Sequence, residues 1–400
     1  MRILHVIPAV GPLRGGPSQA VLEIVKALRE FDIETEIVTT NDNGPELLNV
    51  PLCQRTEYQQ VPIWFFPRFS PPIKPLWEFA FSSQLTTWLW QHITDYDLVH
   101  IHAIFSYSCT VAMAICRLKN VPYIVRPNGL LCQWSLEQSR LKKQLYLALI
   151  EKANLKNSKA LEFTSSQEQK EVDLLSLNSH QFILPYGLET PAPLPDARQS
   201  LRKLLEIPQE QPIILFMSRL HYKKGLEYLI PALAKLSKQP FTFILAGNGT
   251  PTYETEIKEL LHTSGIDNRT YYPGFVEGET KQLLLQGSDI FALTSHSESF
   301  GLAVLEAIYA GLDIITTPGV PLAPVVKQYQ LGYVPELDIN QIVTALQQSL
   351  DALQNTEQNL QRRQRAHQLI TEQYTWNKIS ENLIQIYKAI LNKQSLSALY

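Results

Sequence analysis

The feature that most restricts what this chain can fold into is a recurring unit: a short apolar strand, a loop carrying Gly, Ser or charge, then an amphipathic helix. Residues 2–7, Arg-Ile-Leu-His-Val-Ile, form the first strand. A loop with Gly11, Gly15 and Gly16 follows, then a helix with Ala20, Val21, Ile24, Val25 and Leu28 on one face. Pro17 suits the first turn of that helix, and the next strand falls at 35–40. Strands separated by helices do not pair as hairpins. They lie parallel, in an open sheet covered by helices on both faces. The alternation continues through strands predicted at 97–103, 122–126, 160–164 and 181–184, then resumes at 212–217, 241–246, 270–272, 289–293 and 313–317.

Between the two series, Thr190-Pro191-Ala192-Pro193-Leu194-Pro195-Asp196 has three prolines in five positions, which predicts a semi-rigid linker. Four hundred residues also exceed what one core organises. The predicted architecture is α/β: two Rossmann-like, doubly wound domains, at 1–189 and 198–375, joined by a Pro-rich linker at 190–197. An amphipathic helix in 376–400, with Ile379, Leu383, Ile386, Tyr387 and Ile390 on one face, packs back on the first domain. Ligands of open parallel sheets bind at the carboxyl ends of the strands, so two such sheets imply a cleft between two domains.

Charge and cysteine usage narrow the function. A net charge of -3, with no basic block, argues against nucleic acid as a partner. Cys53, Cys109, Cys116 and Cys132 show no Cys-x-x-Cys spacing, which predicts free thiols in a reducing compartment. No long apolar run predicts a membrane span, and the first strand is too short for a secretory signal. The expected location is cytoplasmic. Residues 41–95 are rich in aromatics, among them Trp64, Phe69, Trp77, Phe81, Trp88 and Trp90. That composition allows peripheral contact with the inner face of a membrane, but only Arg68 and Lys74 supply positive charge between 62 and 90, so the expected role is core or acceptor-cleft lining.

Several loops carry chemistry. Ser297-Glu298-Ser299-Phe300-Gly301-Leu302 lies between a predicted strand and a helix over 303–310 that bears Glu306. The N–H groups of Phe300, Gly301 and Leu302 open that helix and suit an anion. Eight residues of helix span about 12 Å. Glu298 and Glu306 are therefore further apart than the ~5 Å carboxyl pair of a retaining glycosidase unless the loop folds back. Arg219 and Lys224 share the loop after strand 212–217, and Gly247 follows strand 241–246. Fixed cations there suit a diphosphate leaving group. In the first half, Gly15 and Gly16 permit close backbone approach or make a plain turn; the loop is neither Gly-x-Gly-x-x-Gly nor a P-loop. His102 ends strand 97–103 on the same face as His100. They could form a metal pair, but no third ligand has suitable spacing. Asn128 and Gly129 lie in the loop after strand 122–126.

The sequence Glu298-(seven residues)-Glu306 beside Ser299-Phe300-Gly301 resembles the signature of retaining glycosyltransferases of the GT-B fold, the GT4-type family. Ser218-Arg219-Leu220-(three residues)-Lys224-Gly225 is similar to that family's phosphate-binding Arg and Lys. The resemblance implies a metal-independent, retaining transfer of a sugar from a UDP- or GDP-sugar to a saccharide or lipid-linked acceptor, with no cofactor. It implies that Arg219 and Lys224 hold the diphosphate, that Glu298, with Ser299 to Leu302 beside it, faces the donor sugar, and that Glu306 binds ribose. It further places a diphosphate-facing loop at Gly15-Gly16 and a sugar-facing histidine at His102. Arg126-Pro127-Asn128-Gly129 departs from the family's usual His-Gly. The alternatives are a noncatalytic nucleotide-sugar binder of the same fold, an epimerase of that fold, and a nicotinamide oxidoreductase, which the missing Gly-x-Gly-x-x-Gly disfavours.

Overall fold

The structure is a computed structural model. It describes residues 1–71, 79–175, 177 and 179–394. Lys74 and Trp77, part of the aromatic segment, lie outside the described residues. The chain divides into two compact units: Met1–Gly187 together with the chain from Trp376 onward, and Leu188–Thr375.

The first unit is built on an eight-stranded sheet: β1 (Arg2–Ala9), β2 (Glu34–Thr40), β3 (Arg55–Tyr58), β4 (Val61–Phe66), β5 (Leu98–His102), β6 (Tyr123–Arg126), β7 (Ala160–Phe163) and β8 (Gln181–Ile183). The spatial order is β8-β7-β6-β5-β1-β2-β4-β3. Every pairing is parallel except β3 with β4. The chain winds outward from β1 to one side, then returns to β5 on the other. That reversal makes the β1/β5 boundary the topological switch point. The helix Gly16–Glu30 follows β1, and its Ile24 and Leu28 pack in one core cluster with Ile379, Leu383 and Tyr387 of the C-terminal helix Trp376–Leu391. Gly187 lets that helix approach, since a Cβ there would lie 2.5 Å from the Trp376 ring.

The second unit holds a six-stranded, all-parallel sheet: β9 (Ile213–Met217), β10 (Thr242–Ala246), β11 (Thr270–Gly274), β12 (Ile290–Leu293), β13 (Asp313–Thr316) and β14 (Gly332–Tyr333). Its order is β11-β10-β9-β12-β13-β14, so the switch point lies between β9 and β12. The central strands are apolar and fully buried, as a sheet covered on both faces requires. An inner anchor sits below them. Asp289 accepts from Arg202 NH2 at 2.6 Å and from Ile213 N at 2.8 Å, and it pairs with Arg198.

The proline-rich stretch is part of the second unit. Leu194 N donates to Gln286 at 2.7 Å and Tyr309 OH to Pro191 O at 3.3 Å, so it is pinned along its length. After β6 a short helix Gln133–Glu137 is followed by a longer one from Arg140. The latter contains a π turn at Leu147–Glu151 before continuing over Lys152–Lys156. The aromatics of 41–95 split: Phe65, Phe66 and Trp88 are buried, while Phe69, Phe81 and Trp90 are exposed. Among the described residues, no helix is long and apolar enough to cross a membrane.

Candidate functional site

In the second unit the two loops flanking the switch point touch. β9 leads into a loop whose single 3-10 turn, Tyr222–Lys224, is capped by His221; its Nδ1 accepts from Lys223 N at 3.2 Å. Gly225 then turns at φ 67°, and a Cβ there would lie 2.0 Å from the Thr294 carbonyl oxygen. Only glycine lets the loop reach the end of β12 so closely. The contact is fastened by Thr294 Oγ1 donating to Gly225 O at 3.0 Å and by His296 N donating to Lys223 O at 2.9 Å.

This join brings Lys224 and Glu298 together. Lys224 Nζ donates to Glu298 Oε1 at 2.5 Å, and Ser295 Oγ donates to the same oxygen at 2.7 Å. The Glu298 backbone N–H is fixed on Gly319 O at 2.8 Å. Arg219 stands exposed on the same loop as Lys224 and forms no ion pair among the described residues. Burial and the adjacent cations Arg219, Lys224 and Lys223 push the His221 imidazole below its ordinary value, so the loop's own field is positive. Gly247, at φ 139°, backs this loop; a Cβ there would lie 1.9 Å from Ser218 O.

Gly301, at φ 99°, is the N-cap of helix Leu302–Tyr309. Phe300 is buried and Ser299 half-buried. Glu306 lies on the helix's fifth residue, and its Oε1 accepts from Lys281 Nζ at 2.7 Å. Lys281, on the helix Gly278–Gly287, was not singled out in the sequence, where it reads as an ordinary helix lysine. The second unit thus gathers Lys224 and Glu298 directly, with Arg219 on the same loop, and gives Glu306 its own cation.

In the first unit, Gly15 is exposed at φ 84° with open space around it, and the helix Gly16–Glu30 starts there without a side-chain cap. The loop is braced from β2's far end. Asp42 takes Arg14 through Nε at 2.7 Å and NH2 at 2.9 Å, and it also pairs with Arg68. His102 ends β5 at the switch point but is 2% exposed, with its Nε2 on His5 Nδ1 at 2.8 Å. His5 supplies the third imidazole that spacing alone did not reveal. β1 and β5 pair His5 with His100, and the ligand atoms of His5, His100 and His102 lie within 4.8 Å of one another. The rings of His100 and His102 are stacked at 4.0 Å and those of His5 and His102 at 5.1 Å. Two of these ring nitrogens are also bonded to each other.

From this trio a buried polar chain runs across the sheet. His100 Nδ1 meets Tyr387 OH at 2.7 Å, and its Nε2 lies 2.9 Å from Glu162, which Arg126 Nε approaches at 3.0 Å. Arg126 donates to Leu184 O at 2.6 Å and lies over the Tyr186 ring at 4.4 Å. Tyr186 OH donates to Asn128 Oδ1 at 2.8 Å, and Gly129 N donates to Glu168 at 2.6 Å. Asn128 and Gly129 are thus held in a turn built on Tyr186 and Glu168. Burial drives His5 and His102 well below the ordinary imidazole value, and His100 adds to the effect. Burial alone would raise the Glu162 carboxyl, but Arg126 and His100 outweigh it and hold it low.

In the second unit a cation-bearing loop and an acidic loop thus meet at the switch point, where open parallel sheets bind ligands. The family comparisons name the class of protein. Residues 197–388 match the model "Glycosyl transferases group 1", and residues 15–187 match "Glycosyl transferase 4-like domain". The chain belongs to the GT-B glycosyltransferases of the group 1, GT4-type family. An uncharacterized glycosyltransferase of Methanocaldococcus jannaschii is 24% identical over 74% of this chain and 76% of its own length. A D-inositol 3-phosphate glycosyltransferase of Xylanimonas cellulosilytica is 33% identical over 33% of this chain and 34% of its own. Sucrose-phosphate synthase of Thermosynechococcus elongatus shares the fold at a TM-score of 0.75 and 19% identity, covering 98% of this chain and 100% of that one. HepE of Anabaena, solved with UDP and glucose, does so at 0.73 and 17%, covering 97% and 100%.

Proposed function

We propose that this glycosyltransferase moves a hexose-type sugar from a UDP- or GDP-linked donor to a saccharide or lipid-linked acceptor, with retention of configuration and without a metal ion or other cofactor. It works on the cytoplasmic side in polysaccharide or glycoconjugate biosynthesis. The observation that carries this reading is the contact of Lys224 with Glu298 at the β9/β12 switch point, beside the unpaired Arg219. The solved HepE complexes, with UDP and with UDP-glucose, support the donor class.

Breaking the donor's anomeric C–O bond leaves negative charge on the diphosphate and positive charge on the sugar ring. Arg219 and Lys224 meet the first, in the place a metal takes elsewhere. Glu298 holds sugar hydroxyls, with the Ser299-Phe300-Gly301-Leu302 turn beside it, and Glu306 accepts from the ribose hydroxyls. Gly247 joins the nucleotide-binding residues by letting the end of β10 back the loop that carries Arg219. In the first unit, Gly15 and Gly16 offer open backbone to an anion and Asn128 and Gly129 take an acceptor-side role, while His102, buried against His5, supports the end of β5. The acceptor oxygen attacks the face the phosphate leaves. Its proton passes to the departing phosphate oxygen, so no carboxylate nucleophile is needed.

Proton NMR of the product of a UDP- or GDP-sugar incubated with an acceptor mixture and EDTA tests the reading. A product with the donor's own anomeric configuration, formed with the chelator present, is expected. An inverted product, or turnover lost to EDTA, contradicts it. Donor bound but not consumed points to the noncatalytic binder, and donor altered without any acceptor points to the epimerase.

A further inference from the structure

Four exposed large apolar side chains of the first unit fall within ten consecutive residues. Leu141, Leu145 and Leu149 are 82%, 61% and 72% exposed, and Ile150 is 40% exposed. A lone exposed leucine is ordinary, but a stripe of them at four-residue spacing is not. The stripe is the outer face of the helix that begins at Arg140, and the helix cannot roll to hide it. Its inner face is seated through Glu151, Asn154 and Leu155, all buried. The Glu151 carboxylate accepts from Thr110 Oγ1 at 2.5 Å and from Phe105 N at 3.2 Å. Asn154 Oδ1 accepts from Arg117 at 3.0 Å, and Thr110 also meets Tyr146 OH at 2.9 Å.

Along this helix the exposed charges have one sign. Between 140 and 159 the exposed ionisable side chains are Arg140, Lys142, Lys152, Lys156 and Lys159, and the one acid in that span, Glu151, is buried. None of the five forms an ion pair among the described residues. In a chain of net charge -3, this is a local reversal of the average.

We propose that this helix face docks on an anionic lipid bilayer. The leucines enter the headgroup–acyl boundary, and the lysine and arginine stems lie along it with their charges at the lipid phosphates. Charge complementarity selects this occupant over a second copy. A two-fold dimer sets the same patch against itself, here five cations against five. The contact lies at the surface, in keeping with helices that, among the described residues, are too short or too polar to span. It falls outside the aromatic segment 41–95, for which the sequence favours core or cleft lining. The inference is independent of donor chemistry.

Vesicle flotation tests it, with phosphatidylcholine alone and with phosphatidylcholine plus phosphatidylglycerol. The full chain should float with the anionic vesicles only, and less so at high salt. Leu141→Glu, Leu145→Glu and Leu149→Glu combined should leave it at the bottom of the gradient, with circular dichroism and Tm unchanged because the three side chains are exposed. Lys142→Gln and Lys152→Gln should each weaken binding about fivefold. Wild type that never floats, or a triple variant that floats as well as wild type, overturns the proposal. So does a lipid-independent dimer, seen by sedimentation, that the leucine substitutions dissociate.

Discussion

Lys224 is engaged before any donor arrives. Its ammonium donates to Glu298 Oε1 at 2.5 Å, with the two side chains only 13% and 12% exposed. A donor diphosphate therefore competes with Glu298 for this cation, and substitutions on the two sides of the pair should have opposite effects on nucleotide affinity. Lys224→Met removes a charge-assisted hydrogen bond to phosphate, worth about 1.5–3 kcal/mol, so nucleoside diphosphate binding should weaken about 10- to 150-fold. Glu298→Gln keeps the shape but replaces the competing carboxylate with a weaker neutral acceptor. Diphosphate binding should hold steady or tighten, by up to about tenfold. Turnover should fall in both variants, in the first through binding and in the second through the sugar. The assay is calorimetric titration of the cognate nucleoside diphosphate into wild type, the two single variants and the double variant, whose cycle isolates the pair's coupling. Unchanged affinity in Lys224→Met, or equal weakening in both single variants, would refute the reasoning.

Glu306→Gln should weaken nucleotide binding more than it slows a single turnover, whereas Glu298→Gln should do the reverse; equal effects on both quantities would sink that division of labour. Gly225→Ala forces a side chain at φ 67° to within 2.0 Å of Thr294 O, so it should lower the Tm and abolish donor binding. Gly15→Ala, at φ 84° and ψ -155° in open space, should cost about 1–3 kcal/mol, and a thermal melt that ranks the two the other way would contradict the account. The buried imidazoles make stability pH-dependent. Burial depresses His5 and His102 well below 6.5 and His100 below it, so the unfolded chain takes up protons that the folded one refuses. Their contribution is complete above 6.5 and is lost as pH falls below it, by up to about 1.4 kcal/mol per histidine for each pH unit. Denaturant midpoints on either side of 6.5 measure this; a flat profile would count against it.

Much of this was legible because local pattern and global fold agree. The strand–loop–helix alternation predicted parallel sheets, and the apolar face of Gly16–Glu30 is the one the core buries. Ser165, just ahead of helix Ser166–Asp173, is a residue type that caps helices, and it accepts from Glu168 N at 3.2 Å. What stayed hidden depends on pairing across the sheet or on turns without a chemical signal. β3 and β4 are joined by Gln59 and Gln60, both at positive φ, 48° and 65°, where no Asn-Gly announces a hairpin. His5 looked like any strand residue until register set it beside His100. Lys281 and Glu168 read as ordinary helix charges because their partners lie 25 and 39 residues away. Leu141, Leu145 and Leu149 follow the spacing of a core face. Only the seating of Glu151 and Asn154 shows that they point outward.

The central claim is that the loops at the β9/β12 switch point bind a nucleoside diphosphate sugar. Calorimetric titration of UDP-, GDP- and ADP-sugars into wild type and Arg219→Ala tests it most directly. The account predicts tight binding of one donor to wild type and its loss in the variant, because Arg219 is exposed and unpaired and its removal leaves the fold intact. Folded wild type that binds none of these donors, or an Arg219→Ala variant that binds as tightly as wild type, would contradict it.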